Sequence, residues 1–355
     1  MLLAQECLAR QAPTRAPPTR YAGRSQEIVM TDVAFNLAWG RVLGADHLTL
    51  GLMTPLARAP GEPADFARET VLAARADALG FAALWTRDVP LIVPQGSTRE
   101  AAVLDDPFIW LTVLAGATTS AALGTAAAVL PLRHPLHVAK AAWSLDRLSG
   151  GRFILGVGSG DRPEELAPFG VDTAPEVLFR ERWQTLAAAL STDVEARAAL
   201  LATTGGYAPT PAPGTRIPLL VVGTARQSLQ WIAAHADGWA TYHREEARQQ
   251  GRIALWQRAL EERAGGVVKP FVQSLQLELL ADPDAPAQPL ELGLRAGRHA
   301  LLVYFERMAV LGVAHMLVNL QGPRPVEDQI EELGREIVPR LRSGALAQDA
   351  EDVRR

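Results

Sequence analysis

The chain has 355 residues, 48% of them hydrophobic, a formal net charge of −4 and one cysteine, Cys7. The near-neutral charge gives no electrostatic case for nucleic acid or an acidic partner, and the single cysteine excludes an internal disulfide or a cysteine metal cluster. No apolar run approaches ~18 residues, so no membrane span is expected.

The opening MLLAQECLARQ is too broken by polar residues for a signal peptide, so the expectation is a cytoplasmic enzyme or binding protein. Residues 1–27 are polar and rich in Pro and Arg (Pro13, Pro17, Pro18), the composition of a disordered extension. Met30 is a second candidate start beside Met1. Thr31–Leu43 predicts a short helix capped by Thr31, with Phe35 and Val42 inward. From there the pattern is regular. Leu48–Met53 is a first strand, Pro63–Leu79 a helix ended by Gly80, and Phe81–Thr86 a second strand. Val89–Asp105 holds no clear element and is long for a connection. Asp106 caps a helix with Pro107 at its first position, running to about Thr118.

The next stretch organises the rest. Ala122–Val129 is apolar without alternation, the mark of a strand buried on both faces. Pro135 opens a helix with Val138, Ala141, Leu145 and Leu148 at helical spacing, and Gly150-Gly151 stops it. Phe153–Val157 is a fourth strand, followed by Gly158-Ser159-Gly160. A helix over Glu176–Leu190, an insertion loop over Thr203–Arg216, and strands at Ile217–Val222, Gly238–Tyr242, Pro270–Leu280 and Ala314–Leu320 complete the set. Helices are expected at Leu229–Ala236, Glu245–Ala264, Leu290–Leu311 and Val326–Leu341. Eight alternating strands and helices with no linker point to one (β/α)8 TIM barrel over residues 28–345, followed by a tail over 346–355. An open doubly wound sheet is the alternative. In either, a ligand meets the carboxyl ends of the strands.

Those ends carry Arg87-Asp88, Leu130–His134, Gly158–Arg162, Gly223–Gln227, Tyr242–Arg244 and Asn319–Gln321. Gly158-Ser159-Gly160 lets a ligand approach the main chain, and Gly223-Thr224-Ala225 leads into a helix N-terminus, where unpaired N–H groups favour phosphate. Each is equally a tight turn that needs glycine. Arg87-Asp88 is either a functional clamp or a structural ion pair. His134 and His137 either bind an anion or exchange a proton, or are surface and capping residues. Trp85, Trp143, Trp183 and Trp231 read as core. The spacing around Gly156–Gly160 is not a dinucleotide fingerprint, and Gly-Lys-Ser/Thr, Gly-x-Ser-x-Gly and metal-ligand patterns are missing.

The stretch RHPLHVAKAAWSLDRLSGGRFILGVGSG resembles the signature of the bacterial luciferase-like family of flavin-dependent oxidoreductases, through His134-Pro135, Leu145-Asp146, Leu148-Ser149, Gly151-Arg152-Phe153, Gly156, Gly158 and Gly160. PLLVVGTARQSLQWIAAHADGWATY is similar to a second family segment, with Thr224 where serine is more usual; GDRPEELAPFGVD and TRDVPL resemble an uncharacterised luciferase-type subgroup. The resemblance spans Leu48–Leu341 and implies a barrel binding FMN, or in some relatives the deazaflavin F420. It implies a phosphate at Gly223, Thr224, Ala225, Arg226 and Gln227, helped by His137, and a ring past Ala128, Val129, Gly158, Ser159 and Gly160. The reaction implied is a monooxygenation: reduced FMN, from NAD(P)H or a separate NAD(P)H:flavin reductase, reacts with oxygen and a small organic substrate is oxidised. Arg87, His134 and Arg162 are the candidate catalytic contacts, as cationic donors near developing negative charge. Relatives are often dimers, so a homodimer is expected. The competing readings are F420-dependent hydride transfer, a non-catalytic flavin-binding protein, and a sugar-phosphate barrel enzyme without flavin.

Overall fold

The computed structural model describes residues 34–57, 62–91, 103–162, 165–208, 210 and 214–343. The N-terminal extension 1–27, the Thr31 cap, most of Val89–Asp105 and the tail 346–355 lie outside the described residues.

Apolar runs become strands whose backbone is hidden on both sides. In chain order the elements are β1 (Thr49–Met53), α1 (Phe66–Ala78), β2 (Ala83–Thr86), α2 (Pro107–Ala117), β3 (Ala122–Thr125), β4 (Ala128–Val129), α3 (Pro135–Ser149) and β5 (Phe153–Gly158). There follow α4 (Pro175–Leu190), α5 (Val194–Thr203), β6 (Leu219–Val222), α6 (Leu229–His235), β7 (Gly238–Tyr242), α7 (Glu246–Arg263) and β8 (Phe271–Leu279). The last are β9 (Gln288–Leu290), β10 (Gly293–Ala296), α8 (Arg298–Leu311), β11 (Val313–Gln321), α9 (Val326–Glu332) and α10 (Val338–Arg342). The parallel order β1-β2-β3-β5-β6-β7-β8 is closed by β11, which pairs with both β8 and β1. The closed eight-stranded parallel barrel, with helices between its strands, settles the choice against an open sheet.

Side chains alternate along each strand. Met53, Ala83, Trp85, Ala122, Ile154, Leu220, Ala240, Val272 and Leu317 form one cluster inside the barrel. Leu50, Leu52, Leu84, Leu123, Leu155, Val221 and Val318 belong to the other, beneath the helices. Trp85 fills the barrel axis, and Gly51 and Gly124 make room for it: a Cβ on Gly124 would lie 2.3 Å from its ring. Its Nε1 donates to His315 Nε2 at 2.9 Å, His315 Nδ1 lies 2.7 Å from Thr49 Oγ1, and Thr49 Oγ1 donates to the Val42 carbonyl at 2.9 Å. Thr49 has spent its hydrogen, so His315 Nδ1–H donates to it and Nε2 accepts, which fixes a neutral ring. Complete burial holds the His315 pKa down at about 3. The turn Trp39–Leu43 adds Val42 and Leu43 to the inner cluster and covers this amino-terminal end.

Helix signals are obeyed locally. Asp106 accepts from the Phe108 and Ile109 amides, and Gly150 ends α3 in the left-handed conformation. Trp85, Trp143 and Trp183 are buried, while Trp231 is partly exposed against Trp183.

Four expectations are corrected. Ala122–Val129 is not one strand: Thr125 Oγ1 donates to the Gly156 carbonyl (2.8 Å) and accepts from its amide (3.0 Å), so a side chain replaces the ladder and the chain kinks through Ala126-Ala127 before β4. Leu290–Leu311 is not one helix. Gly293 lies against Gln276, where any Cβ would be 1.8 Å from a carbonyl oxygen, so β10 pairs with β8, β9 turns back on β10, and α8 begins only at Arg298. Phe35 is not on a helix; it sits in a bridge to Arg216, partly exposed, stacked on Trp39 with the Arg216 guanidinium over its ring. The stretch ahead of the Thr203–Arg216 loop carries an unforeseen helix, α5, capped by Asp193.

Candidate active site

At the carboxyl ends of the strands the inward positions bound one cavity. Its floor and walls are Met53, Ala126, Val222, Ala240, Val272, Leu275, Leu292 and Leu317; its polar members include Arg87, Thr241, Tyr242, Ser274, Gln276 and Asn319. Arg87 stands one inward step above Trp85, and Asn319 two steps above His315. On β8, Ser274 and Gln276 turn polar side chains to the cavity, Leu275 borders it from the outer core, and Leu277 lies wholly beneath the helices. Leu292, at φ 58° in the β9–β10 turn, closes one side. The Oδ1 of Asn319 is buried and has no hydrogen-bond partner among the described residues. A buried acceptor left unmade is costly, so this atom marks where a ligand donor fits.

Charge gathers around Tyr242. The side chain is partly open to the cavity, yet the packed strand ends withdraw enough solvent to raise its pKa. Asp161 pushes the same way, and Arg87, Arg162 and Arg244 oppose. Of the sequence candidates, Arg87 lines the cavity with Tyr242, and Arg162 acts on the phenol only through its charge, without lining the cavity. Arg162 also pairs with the buried Glu165 at 3.4 Å, whose pKa is raised by burial against the pull of Arg162.

The pair Arg87-Asp88 divides its roles. Asp88 is structural: it takes Arg133 Nε and Nη2 at 2.7 and 2.8 Å and the Val129 amide at 2.9 Å. Burial opposes the Arg133 charge, but Asp88 and Asp106 outweigh it and raise its pKa. One guanidinium nitrogen of Arg182 donates to the carbonyls of Leu130, Pro131 and Arg133, bracing the same rim. His134 is exposed and caps α3, its Nδ1 accepting from the Leu136 amide at 3.3 Å; exposed His137 meets it edge to face at 6.0 Å. Neither histidine lines the cavity.

The glycine turns also differ from expectation. Ala126 lines the cavity, whereas Ala128 is buried in the layer between strands and helices and Val129 is 6% exposed. Gly158 and Ser159 are buried, and only Gly160 is partly open. Gly223 does not lead straight into a helix. Gly223, Ala225 and Arg226 take positive φ (67°, 46°, 57°), and α6 starts at Leu229 under a Ser228 cap. The turn is held by Gln227, which accepts from Arg180 and donates to the Glu176 carbonyl, and by Arg226 near Glu176 at 3.9 Å. No described group accepts from the Thr224 or Ala225 amides, so the turn keeps two donors for an anion. No hydrogen bond or ring contact joins His137 to this turn among the described residues.

Beneath the rim lies a network that sequence reasoning missed. Gln249 donates to Gln273 (2.8 Å), Gln273 to Tyr304 (2.6 Å), and Tyr304 to His243 Nδ1 (3.0 Å). Burial, then Arg244, lowers the His243 pKa. The only signal was a pair of glutamines inside otherwise apolar faces.

Among the described residues no cluster of His, Cys, Asp and Glu could hold a metal ion, and no helix is long and apolar enough to cross a membrane.

A family model described as luciferase-like monooxygenase matches residues 48–284, two thirds of the chain. The chain belongs to the luciferase-like monooxygenase family. Among relatives, a 4-hydroxyprotoasukamycin monooxygenase of Streptomyces nodosus subsp. asukaensis is 34% identical over 125 residues, 35% of this chain and 31% of that one. The chain thus spans about a third of that relative's length, and 51% of the next relatives it matches. An F420-dependent secondary alcohol dehydrogenase superposes with TM-score 0.65 at 14% identity, covering 83% of this chain and 99% of the other. A type II Baeyer–Villiger monooxygenase from Pseudomonas putida in complex with FMN gives 0.61 at 14%, with the same coverage. At that identity the two structures speak for the fold alone.

Proposed function

We propose that this chain is a flavin-dependent oxidoreductase of the monooxygenase type, using reduced FMN and oxygen on a small organic substrate. The observation that carries this is the cavity at the strand ends, apolar on its floor and polar at its rim, with the orphaned Asn319 Oδ1 inside it. A flat ring with an N–H edge fits such a lining: Ala126, Val222 and Ala240 offer apolar contact and Asn319 Oδ1 an acceptor. The amides of Thr224 and Ala225 would hold a phosphate. The chemistry the bound cofactor supplies is two-electron transfer, from NAD(P)H directly or through a separate reductase.

The chain's own contribution is to orient, to desolvate and to place charge. Leu292 and the apolar walls exclude water. Arg87, from the cavity wall, and Arg162, from beside it, would stabilise developing negative charge, and Tyr242, its pKa raised, would serve as a neutral hydrogen-bond donor at neutral pH. Titration with FMN, followed by fluorescence quenching, tests this: saturable quenching at micromolar FMN is expected, and none at high micromolar FMN overturns it. Oxygen uptake with reduced FMN, tied to substrate, then separates an enzyme from a flavin carrier.

A second reading, hydride transfer with F420, is favoured by one feature: positive charge beyond the turn in excess of what one phosphate uses. Loss of F420 absorbance or its recovery without oxygen would identify it.

A further inference from the structure

Outside the barrel mouth, an open cleft starts at Gly223 and Thr224 and runs along α7 past Arg244, Arg248 and Arg252. It shares Gly223, Thr241 and Tyr242 with the inner cavity, so the two meet over the rim. Arg252 donates to Thr241 Oγ1 at 2.8 Å and Arg244 to the His243 carbonyl at 3.3 Å, both neutral acceptors. Arg248 is exposed and makes no hydrogen bond or ion pair among the described residues. The neighbouring Glu246 pairs with Arg307 instead, at 3.4 Å. Burial, then the nearness of Arg244, depresses the Arg252 pKa.

This face of α7 is poor for stability. Arg248 and Arg252 are a like-charged i, i+4 pair, which disfavours a helix. Between them Gly251, in the helix interior, is disfavoured too, and a Cβ there would meet nothing within 4 Å. Together they leave a cationic surface open to close approach beside Leu229, Trp239 and Leu255.

We propose that this cleft is a second anion subsite, which takes a phosphate- or carboxylate-bearing arm of a ligand whose ring occupies the mouth. The placement of the ring rests on the reading above. The ligand class assigned is a ring compound whose arm carries more than one negative charge beyond the group held at Gly223–Gln227. The arm belongs either to the cofactor, as in F420 with its glutamyl carboxylates, or to an anionic substrate.

The test uses the full chain and three proteins: native, Arg248→Glu and Arg248→Lys. Calorimetry with tripolyphosphate alone should show binding that weakens with salt, falls about tenfold in Arg248→Glu and is largely kept in Arg248→Lys. The thermal midpoint should stay put in Arg248→Lys and stay put or rise slightly in Arg248→Glu, where the like-charged pair with Arg252 becomes an attractive one, so a fall in binding is not a loss of fold. Riboflavin, FMN and F420 are then titrated by fluorescence. A selective loss for F420 in Arg248→Glu, with riboflavin unchanged, assigns the arm to the cofactor. Tripolyphosphate binding undisturbed by saturating F420 assigns it to the substrate. No tripolyphosphate binding to the native protein, or equal binding to Arg248→Glu, overturns the subsite. Failure of riboflavin and FMN to bind would instead sink the reading of the mouth and leave the tripolyphosphate result standing.

Discussion

The two halves of the barrel interior are built from the same alternating positions but resolve their polar groups in opposite ways. In the amino-terminal half, Trp85, His315 and Thr49 satisfy one another and end on the Val42 carbonyl. In the carboxyl-terminal half, one or two inward steps along the same strands, Arg87, Tyr242, Ser274 and Asn319 face a cavity, and the Asn319 acceptor is unpaired. The lower half is closed and its hydrogen bonds are internal; the upper half holds polar groups ready for something else. Stability and binding therefore separate along the barrel axis, and substitutions should separate them too.

The largest effect is expected at the plug. Trp85→Ala removes a buried ring and strands His315 Nε2, and should cost about 3–5 kcal/mol in urea unfolding. Next is the rim clamp: Asp88→Asn weakens a buried carboxylate's hold on Arg133 and the Val129 amide, with a loss of about 3 kcal/mol expected from the same measurement. An equal loss of FMN affinity in Trp85→Ala, with its folded state intact, would break the comparison.

Acid should act through the lower half. His315 is neutral when folded, with its pKa lowered to about 3, while the unfolded chain titrates near the ordinary 6.5. Between those values the unfolded state binds the extra proton, so stability is complete above pH 6.5 and declines as pH falls toward 3, by at most about 1.4 kcal/mol per pH unit. The acid limb of a stability–pH curve should flatten in His315→Gln.

The smallest stability effects belong to the mouth. Asn319→Leu removes an unsatisfied acceptor and should leave unfolding unchanged within about 0.5 kcal/mol or slightly improved. It should weaken FMN about fivefold to tenfold in the quenching titration. Arg87→Ala should lower turnover about tenfold or more with reduced flavin; normal turnover in both Arg87→Ala and Arg162→Ala would remove the charge assignment.

Most of the barrel was legible because buried parallel strands are written as apolar runs, and because Asp106-Pro107 and Gly150-Gly151 mark helix ends unambiguously. The β9–β10 hairpin was not, since Leu294 and Leu301 share the spacing of a helix face and only the fit of Gly293 against Gln276 shows otherwise. The cavity floor shifted from Ala128 to Ala126 because the kink after Thr125 changes which residue points inward. Arg87, read from its position at a strand end, lines the cavity, whereas Arg162, read from the same signal, does not. Ser274 and Gln276 were overlooked, although polar residues at every second place in an apolar strand were the available signal. His134 and His137 drew attention as chemistry, and the fold puts them on the outer rim.

The hairpin has one further consequence. Strand β8 gives Phe271–Glu278 to β11 on one edge, while on the other its first residues, Phe271–Ser274, pair with β7 and its last, Gln276–Leu279, with β10. The hairpin thus occupies bonding capacity that β7 does not use. Insertions or deletions there can enlarge or shrink the chamber beside Leu292 without breaking a single bond that closes the barrel, so substrate range can diversify while the scaffold stays the same.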